Sequence, residues 1–133
     1  MRDGDRAQGE ETILLVEDDD AVRAVATRAL ERFGYTVLAA GGGEQAVEIG
    51  VNHEGAIDLL LTDIMMPDMN GVEVAARVKE ERPGIRIFYM SGYADRDLVR
   101  QGLLHPDTHF LQKPFTPQEL VGRVRAVLDG CSS

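Results

Sequence analysis

The sequence predicts an α/β fold built on a parallel five-stranded sheet, and three observations carry that prediction. First, short apolar runs alternate with helix-length amphipathic stretches, the pattern of buried parallel strands joined by crossover helices. Second, four of those runs end on polar residues able to do chemistry: Ile13 to Val16 leads into Glu17-Asp18, Leu59 to Leu61 into Thr62-Asp63, Ile85 to Met90 into Ser91, and Phe110-Leu111 into Gln112-Lys113. Ligands of such sheets bind outside the carboxyl ends of the strands. Third, 133 residues with 44% hydrophobic content suffice for one domain with one core.

The elements follow in order. Strand 1 is Thr12 to Val16, and a helix from about Asp20 to Arg32 places Val22, Val25, Ala26, Ala29 and Leu30 at helical spacing, with Asp20 a candidate N-cap. Gly34 ends it at C′. Strand 2 is Thr36 to Ala40, Gly41-Gly42-Gly43 makes a turn, and a second helix covers Glu44 to about Asn52. Strand 3, Leu59 to Thr62, opens into the loop Asp63 to Gly71; the third helix runs from Val72 to Glu81 and is stopped by Pro83-Gly84. Strand 4 is Ile85 to Met90, a weaker helix spans about Asp95 to Gln101, and strand 5 is His109 to Gln112. The last helix starts after Thr116, an N-cap with Pro117 at N1 and Glu119 at N3, and turns Leu120, Val121, Val124, Val127 and Leu128 inward. Right-handed crossovers leave few topologies for five such units, and the flavodoxin-like order 2-1-3-4-5, a three-layer sandwich, is favoured. That order brings the four polar strand ends into one row.

Composition narrows the function classes. Net charge is −9, from 23 acidic against 14 basic residues, and no basic block stands out, which argues against direct nucleic-acid binding. Neither a membrane span nor a signal peptide is recognisable, so a cytoplasmic location is expected. Met1 to Glu11 reads as a polar tail, 12–129 as the domain, and 130–133 as a short C-terminal tail. Cys131 is given no role, and His53, His105 and His109 lack companions at metal-ligand spacing.

Glu17, Asp18 and Asp63 gathered at one sheet edge would repel one another unless a cation joined them, which implies a hard divalent metal and leaves Lys113 and Ser91 to hold an anion. Phosphoryl chemistry fits that set. Taken singly, each residue is ordinary: an acidic pair at a helix start, a loop aspartate, a turn serine, a surface lysine. Their coincidence at four strand ends is what points to a site.

ILLVEDDD, LLLTDIMMPDMNG, YMSGY and FLQKPF, in this order and spacing, resemble the receiver domain of two-component response regulators over about Thr12 to Leu128. MSGY and FLQKPFTPQEL are especially similar to receivers at the C-terminal end of hybrid histidine kinases. The resemblance implies that Asp63 accepts a phosphoryl group from the phosphohistidine of a sensor histidine kinase or histidine phosphotransfer protein. It makes Glu17 and Asp18 the Mg²⁺ pair, with Asp63 and the backbone carbonyl of Met65 as further ligands. Ser91 and Lys113 would bind the phosphoryl oxygens, and Phe110 would be the aromatic switch residue, although a core role suits it too. Lys113-Pro114 is commonly cis in the family. Such a receiver phosphorylates and dephosphorylates itself, and output is expected through protein contacts or a domain outside this chain. Two alternatives differ in class. A haloacid-dehalogenase-like phosphatase also uses an aspartyl nucleophile with Mg²⁺, but needs a second acid where this chain has Met65. A degenerate receiver acting only as a binding module usually loses one of the acidic pair, the aspartate or the lysine, all of which are present.

Overall fold

The computed structural model describes residues 11–91 and 110–130. Its sheet is parallel, in the order β2-β1-β3-β4-β5, from β1 (Thr12–Val16), β2 (Thr36–Ala40), β3 (Leu59–Asp63), β4 (Arg86–Ser91) and β5 (Phe110–Gln112). The helices among the described residues are α1 (Asp20–Arg32), α2 (Gly43–Asn52), α3 (Gly71–Glu81) and α4 (Pro117–Leu128). The expected order is therefore present. The helix expected over Asp95 to Gln101, with His105, His109 and Cys131, lies outside the described residues. None of the described helices is long and apolar enough to cross a membrane.

Alternation along the strands decides which helix each residue meets. Ile13, Leu15, Leu59, Leu61, Phe88, Met90 and Leu111 face one way and pack with Ala26, Ala29 and Leu30 of α1 and Leu120, Val121, Val124 and Val127 of α4. Leu14, Val16, Leu60 and Tyr89 face the other way, against Ala46 of α2 and Val74, Ala75 and Val78 of α3. Because helices cover both faces, successive residues of the central strands are apolar along Ile13 to Val16, Leu59 to Leu61 and Ile87 to Met90, which is why they read as continuous runs. Val25 departs from the expected inward set: it is 47% exposed, on the flank of α1, where Val22, Pro114 and Phe115 form an apolar groove with it. The stripe that reaches the sheet is narrower, Ala26-Ala29-Leu30.

Helix ends follow local chemistry. Asp19, rather than Asp20, caps α1, accepting from the amides of Ala21 (2.9 Å) and Val22 (3.1 Å), while Asp20 pairs with Arg23 at 2.6 Å. The choice is geometric, since only a residue with extended backbone ahead of the first turn can aim its carboxylate at those amides. Gly34 leaves α1 at φ 96°. Thr116 and Glu119 form a reciprocal capping box on α4, with Pro117 behind it. The C-terminus of α2 is closed from a distance by Arg82, whose guanidinium donates to the carbonyls of Gly50, His53 and Gly55 at 2.7, 2.6 and 2.8 Å. At the far end of the sheet Glu11 is buried, not part of a solvated tail: it pairs with Arg125 at 2.7 Å, and Arg125 also reaches Asp129 and the Tyr35 hydroxyl.

The loop after β3 doubles back sharply. The Gly71 amide donates to the Ile64 carbonyl at 2.7 Å, and Asn70 caps α3 through the Glu73 amide. A Cβ on Gly71 would stand 2.2 Å from the Asp63 carbonyl oxygen, so only glycine permits this approach. Gly71→Ala is expected to lower stability by roughly 2–3 kcal/mol, because backbone rather than a mobile side chain must give way. Urea unfolding checks this; a loss below about 0.5 kcal/mol would mean that the loop moves aside freely.

Candidate functional site

The site extends the strand alternation by one rung. Val16 lies beside Thr62, so Glu17 leaves β1 level with Asp63 at the end of β3. Both have the parity of Leu15 and Leu61, as Lys113 has that of Leu111, so the three continue the side of the sheet covered by α1 and α4. Backbone bonds secure the ends: the Glu17 amide to the Ala40 carbonyl, Ile64 to Met90, and Lys113 to Ser91 at 2.9 Å.

Lys113 Nζ lies 2.6 Å from Glu17 Oε1 and 3.1 Å from Asp63 Oδ2. Glu17 is wholly buried and Asp63 is 6% exposed, so neither carboxylate is well solvated. Asp18 is exposed at the mouth of the site. Oxygens of Glu17, Asp18 and Asp63 all lie within 4.8 Å of one another. Burial first, and the Glu17 charge second, push the Asp63 carboxyl up from 3.8 to about 7, with Lys113 pulling it back. Burial lowers the Lys113 ammonium, but the hydrogen bond to Glu17 and the charges of Asp63 and Glu17 outweigh it, so its pKa rises. One ammonium thus holds two buried carboxylates without neutralising both.

The sequence-derived residues fall into place unevenly. Glu17, Asp18, Asp63 and Lys113 converge. Ser91 is buried at the end of β4, one residue beyond the Asp63–Met90 pair and beside Gln112. Phe110 turns to the opposite side of the sheet from Leu111 and is half-buried, its ring 6.0 Å from that of Tyr89. The Met65 side chain is 58% exposed, whereas Met66 packs against the α2–α3 side. The Lys113-Pro114 bond is cis.

Two residues escaped the sequence reading. Arg23 donates to the Glu17 carbonyl at 2.8 Å and to Asp20, steadying the turn that carries the acidic pair. Asp68 accepts from the amides of Gly43 and Glu44 at the start of α2. A signal existed for the second: a helix that begins within a run of three glycines has no N-cap side chain of its own, so a cap must arrive from elsewhere.

The model for the response regulator receiver domain matches residues 13–125. The sensor kinase CckA of Brucella abortus is 37% identical over 91% of this chain, which spans 13% of that protein. The response regulator receiver protein CpdR of the same species is 38% identical over 87% of this chain and 95% of its own length. Among solved structures, the receiver domain from the hybrid histidine kinase CckA superposes with a TM-score of 0.74 at 33% identity, covering 88% of this chain and 98% of that one. The chain belongs to the response regulator receiver domain family of two-component systems.

The residues present fit a divalent cation. Glu17 Oε1 is fully enclosed, and the Lys113 ammonium 2.6 Å from it is shared with Asp63. A buried oxygen left in that state, beside two further carboxylates, is the kind of donor set a hard cation satisfies.

In metal-free protein the raised Asp63 pKa makes stability pH-dependent. Between the unfolded value of 3.8 and the folded value of about 7, the native state keeps a proton that the unfolded chain has released, so stability falls as pH rises through that window. In EDTA, Asp63→Asn is expected to flatten this slope and to exceed the wild type at about pH 8 by on the order of 1 kcal/mol, after allowance for solvent screening. Urea melts across the range check it; parallel curves would remove Asp63 as the cause.

Proposed function

We propose that this domain is the phosphoacceptor of a phosphorelay, taking a phosphoryl group onto Asp63 from the phosphohistidine of a sensor histidine kinase or histidine phosphotransfer protein. The observation that carries this reading is the convergence of three carboxylates within 4.8 Å, two of them held by one partly buried ammonium. Similarity to the receiver of a hybrid kinase supports a hybrid-kinase setting. The receiver unit is taken to span 12–129, with Glu11 anchored to it through Arg125.

Glu17, Asp18, Asp63 and the Met65 carbonyl would hold Mg²⁺, which when bound offsets the negative charge of the carboxylates and of the incoming phosphoryl oxygens. The remaining chemistry belongs to the chain. An Asp63 oxygen attacks phosphorus in line as the P–N bond to the donor imidazole breaks, and the product is an acyl phosphate. Lys113, 3.1 Å from Asp63 Oδ2, is placed to pair with a phosphoryl oxygen, and Ser91 supplies a hydroxyl at the neighbouring strand end. Arg23 keeps the Glu17 turn from moving as charge arrives. Water later cleaves the acyl phosphate.

Capture of the phosphoryl group by Ser91 would draw in the end of β4, whose Tyr89 packs on Phe110 of β5. Output then runs through Phe110 and the β5–α4 side as a population shift between two packings.

Incubation with phosphoramidate and Mg²⁺ should add one phosphoryl group, labile to hydroxylamine. EDTA or Asp63→Asn should lower the labelling rate by about 100-fold or more. Wild-type labelling of Asp63→Asn, read by intact-mass spectrometry, would overturn the assignment.

A further inference from the structure

We propose that Asp68, which supplies no ligand, is a positioning residue that ties the Asp63 loop to the start of α2 and thereby holds in place the Met65 carbonyl assigned to the metal. The proposal rests on the metal-assisted reading above. Its first support is the way α2 begins. Gly42 is the N-cap residue and has no side chain to offer, so the first amides of the helix would be orphaned. Asp68 reaches them from the β3–α3 loop: Oδ1 accepts from the Gly43 amide at 3.1 Å and Oδ2 from the Glu44 amide at 3.0 Å. Each oxygen serves one amide, so the carboxylate is held at two points. Those bonds hold its carboxyl below the usual range even though the residue is exposed.

The second support is the shape of the glycine turn. A Cβ on Gly43 would stand 2.6 Å from the Met69 Cβ, and one on Gly42 would stand 3.1 Å from Asp68 Oδ2. On the other side, a Cβ on Gly41 would approach Arg23 Nη1 to 3.4 Å, the same nitrogen that holds the Glu17 carbonyl. The turn therefore lies between the group that steadies the acidic pair and the loop that follows Asp63. The loop has a second fastening where the Gly71 amide meets Ile64. Met65, whose carbonyl is assigned to the metal, lies on the stretch between Ile64 and Asp68. A loop pinned at both ends keeps a carbonyl in place, whereas one pinned at a single end leaves it free to swing.

A cap that merely stabilised α2 would show the same two hydrogen bonds, so the test must separate capping from tethering. In Asp68→Ala, Tm should fall by roughly 5 °C, as for loss of a helix cap. Mg²⁺ affinity by calorimetry should weaken about ten-fold, as for loss of a group that orients a ligand. Hydrogen exchange of the Gly71 amide in metal-free protein should speed up roughly ten-fold, the equivalent of one hydrogen bond. Adding Gly42→Ser restores a local cap, and the crowding at 3.1 Å disappears with the Asp68 carboxylate. The double variant should regain Tm yet keep the weakened Mg²⁺ affinity and the fast Gly71 exchange. Recovery of all three together, or wild-type affinity and exchange in Asp68→Ala, would reduce Asp68 to a helix cap. If the wild type binds no Mg²⁺, the functional reading fails, while Gly71 exchange in the two variants still decides the tether.

Discussion

The ammonium of Lys113, set between the buried carboxylates of Glu17 and Asp63, is the interaction on which the rest of the molecule depends. Two acids at the edge of an apolar sheet are costly to desolvate, and they repel each other at this range. One lysine cannot neutralise both, and burial together with the Glu17 charge raises the Asp63 carboxyl to about 7. Such a cluster of carboxylates could hold a cation. The fold's task is to keep these groups together despite their repulsion.

The scaffold does so with backbone bonds and close approaches outside the cluster. Ile64 to Met90 and Lys113 to Ser91 extend the ladder just past the strands, so the functional side chains leave from rigid positions. Gly71 lets the loop fold back against the Asp63 carbonyl, and Arg23 grips the Glu17 carbonyl. None of these groups has a chemical step to perform. Their contribution is preorganisation, which matters most where the chemistry is positioning and charge neutralisation.

On the side away from the site, the domain is closed by ion pairs and side-chain hydrogen bonds rather than by apolar packing alone. Arg125 collects Glu11, Asp129 and the Tyr35 hydroxyl, and Arg82 gathers three carbonyls at the end of α2. Burial raises the Tyr35 hydroxyl despite the neighbouring Arg125, which keeps it a neutral hydrogen-bonding partner. These contacts join segments distant in sequence: the end of α3 to that of α2, and α4 to the residues just before β1 and β2.

Much of the fold and most of the candidate site were legible in the sequence, because their signals are local. Continuous apolar strands such as Leu59 to Leu61 announce two-sided burial, and Thr116-Pro117 with Glu119 announces a helix start through bonds made within four residues. The polar strand ends were legible because a parallel sheet with right-handed crossovers leaves them little choice but to meet. Tertiary structure alone decided the rest. Asp19 rather than Asp20 became the cap because backbone geometry selects between adjacent identical side chains. Val25 stayed at the surface because the buried stripe of α1 is narrower than its apolar spacing suggests. Glu11 and Asp68, which look like solvated acids along the chain, acquired partners 114 and 25 residues away. Hydrogen bonds of that span leave no periodicity or spacing in a sequence, since their partners become neighbours only after the sheet has assembled.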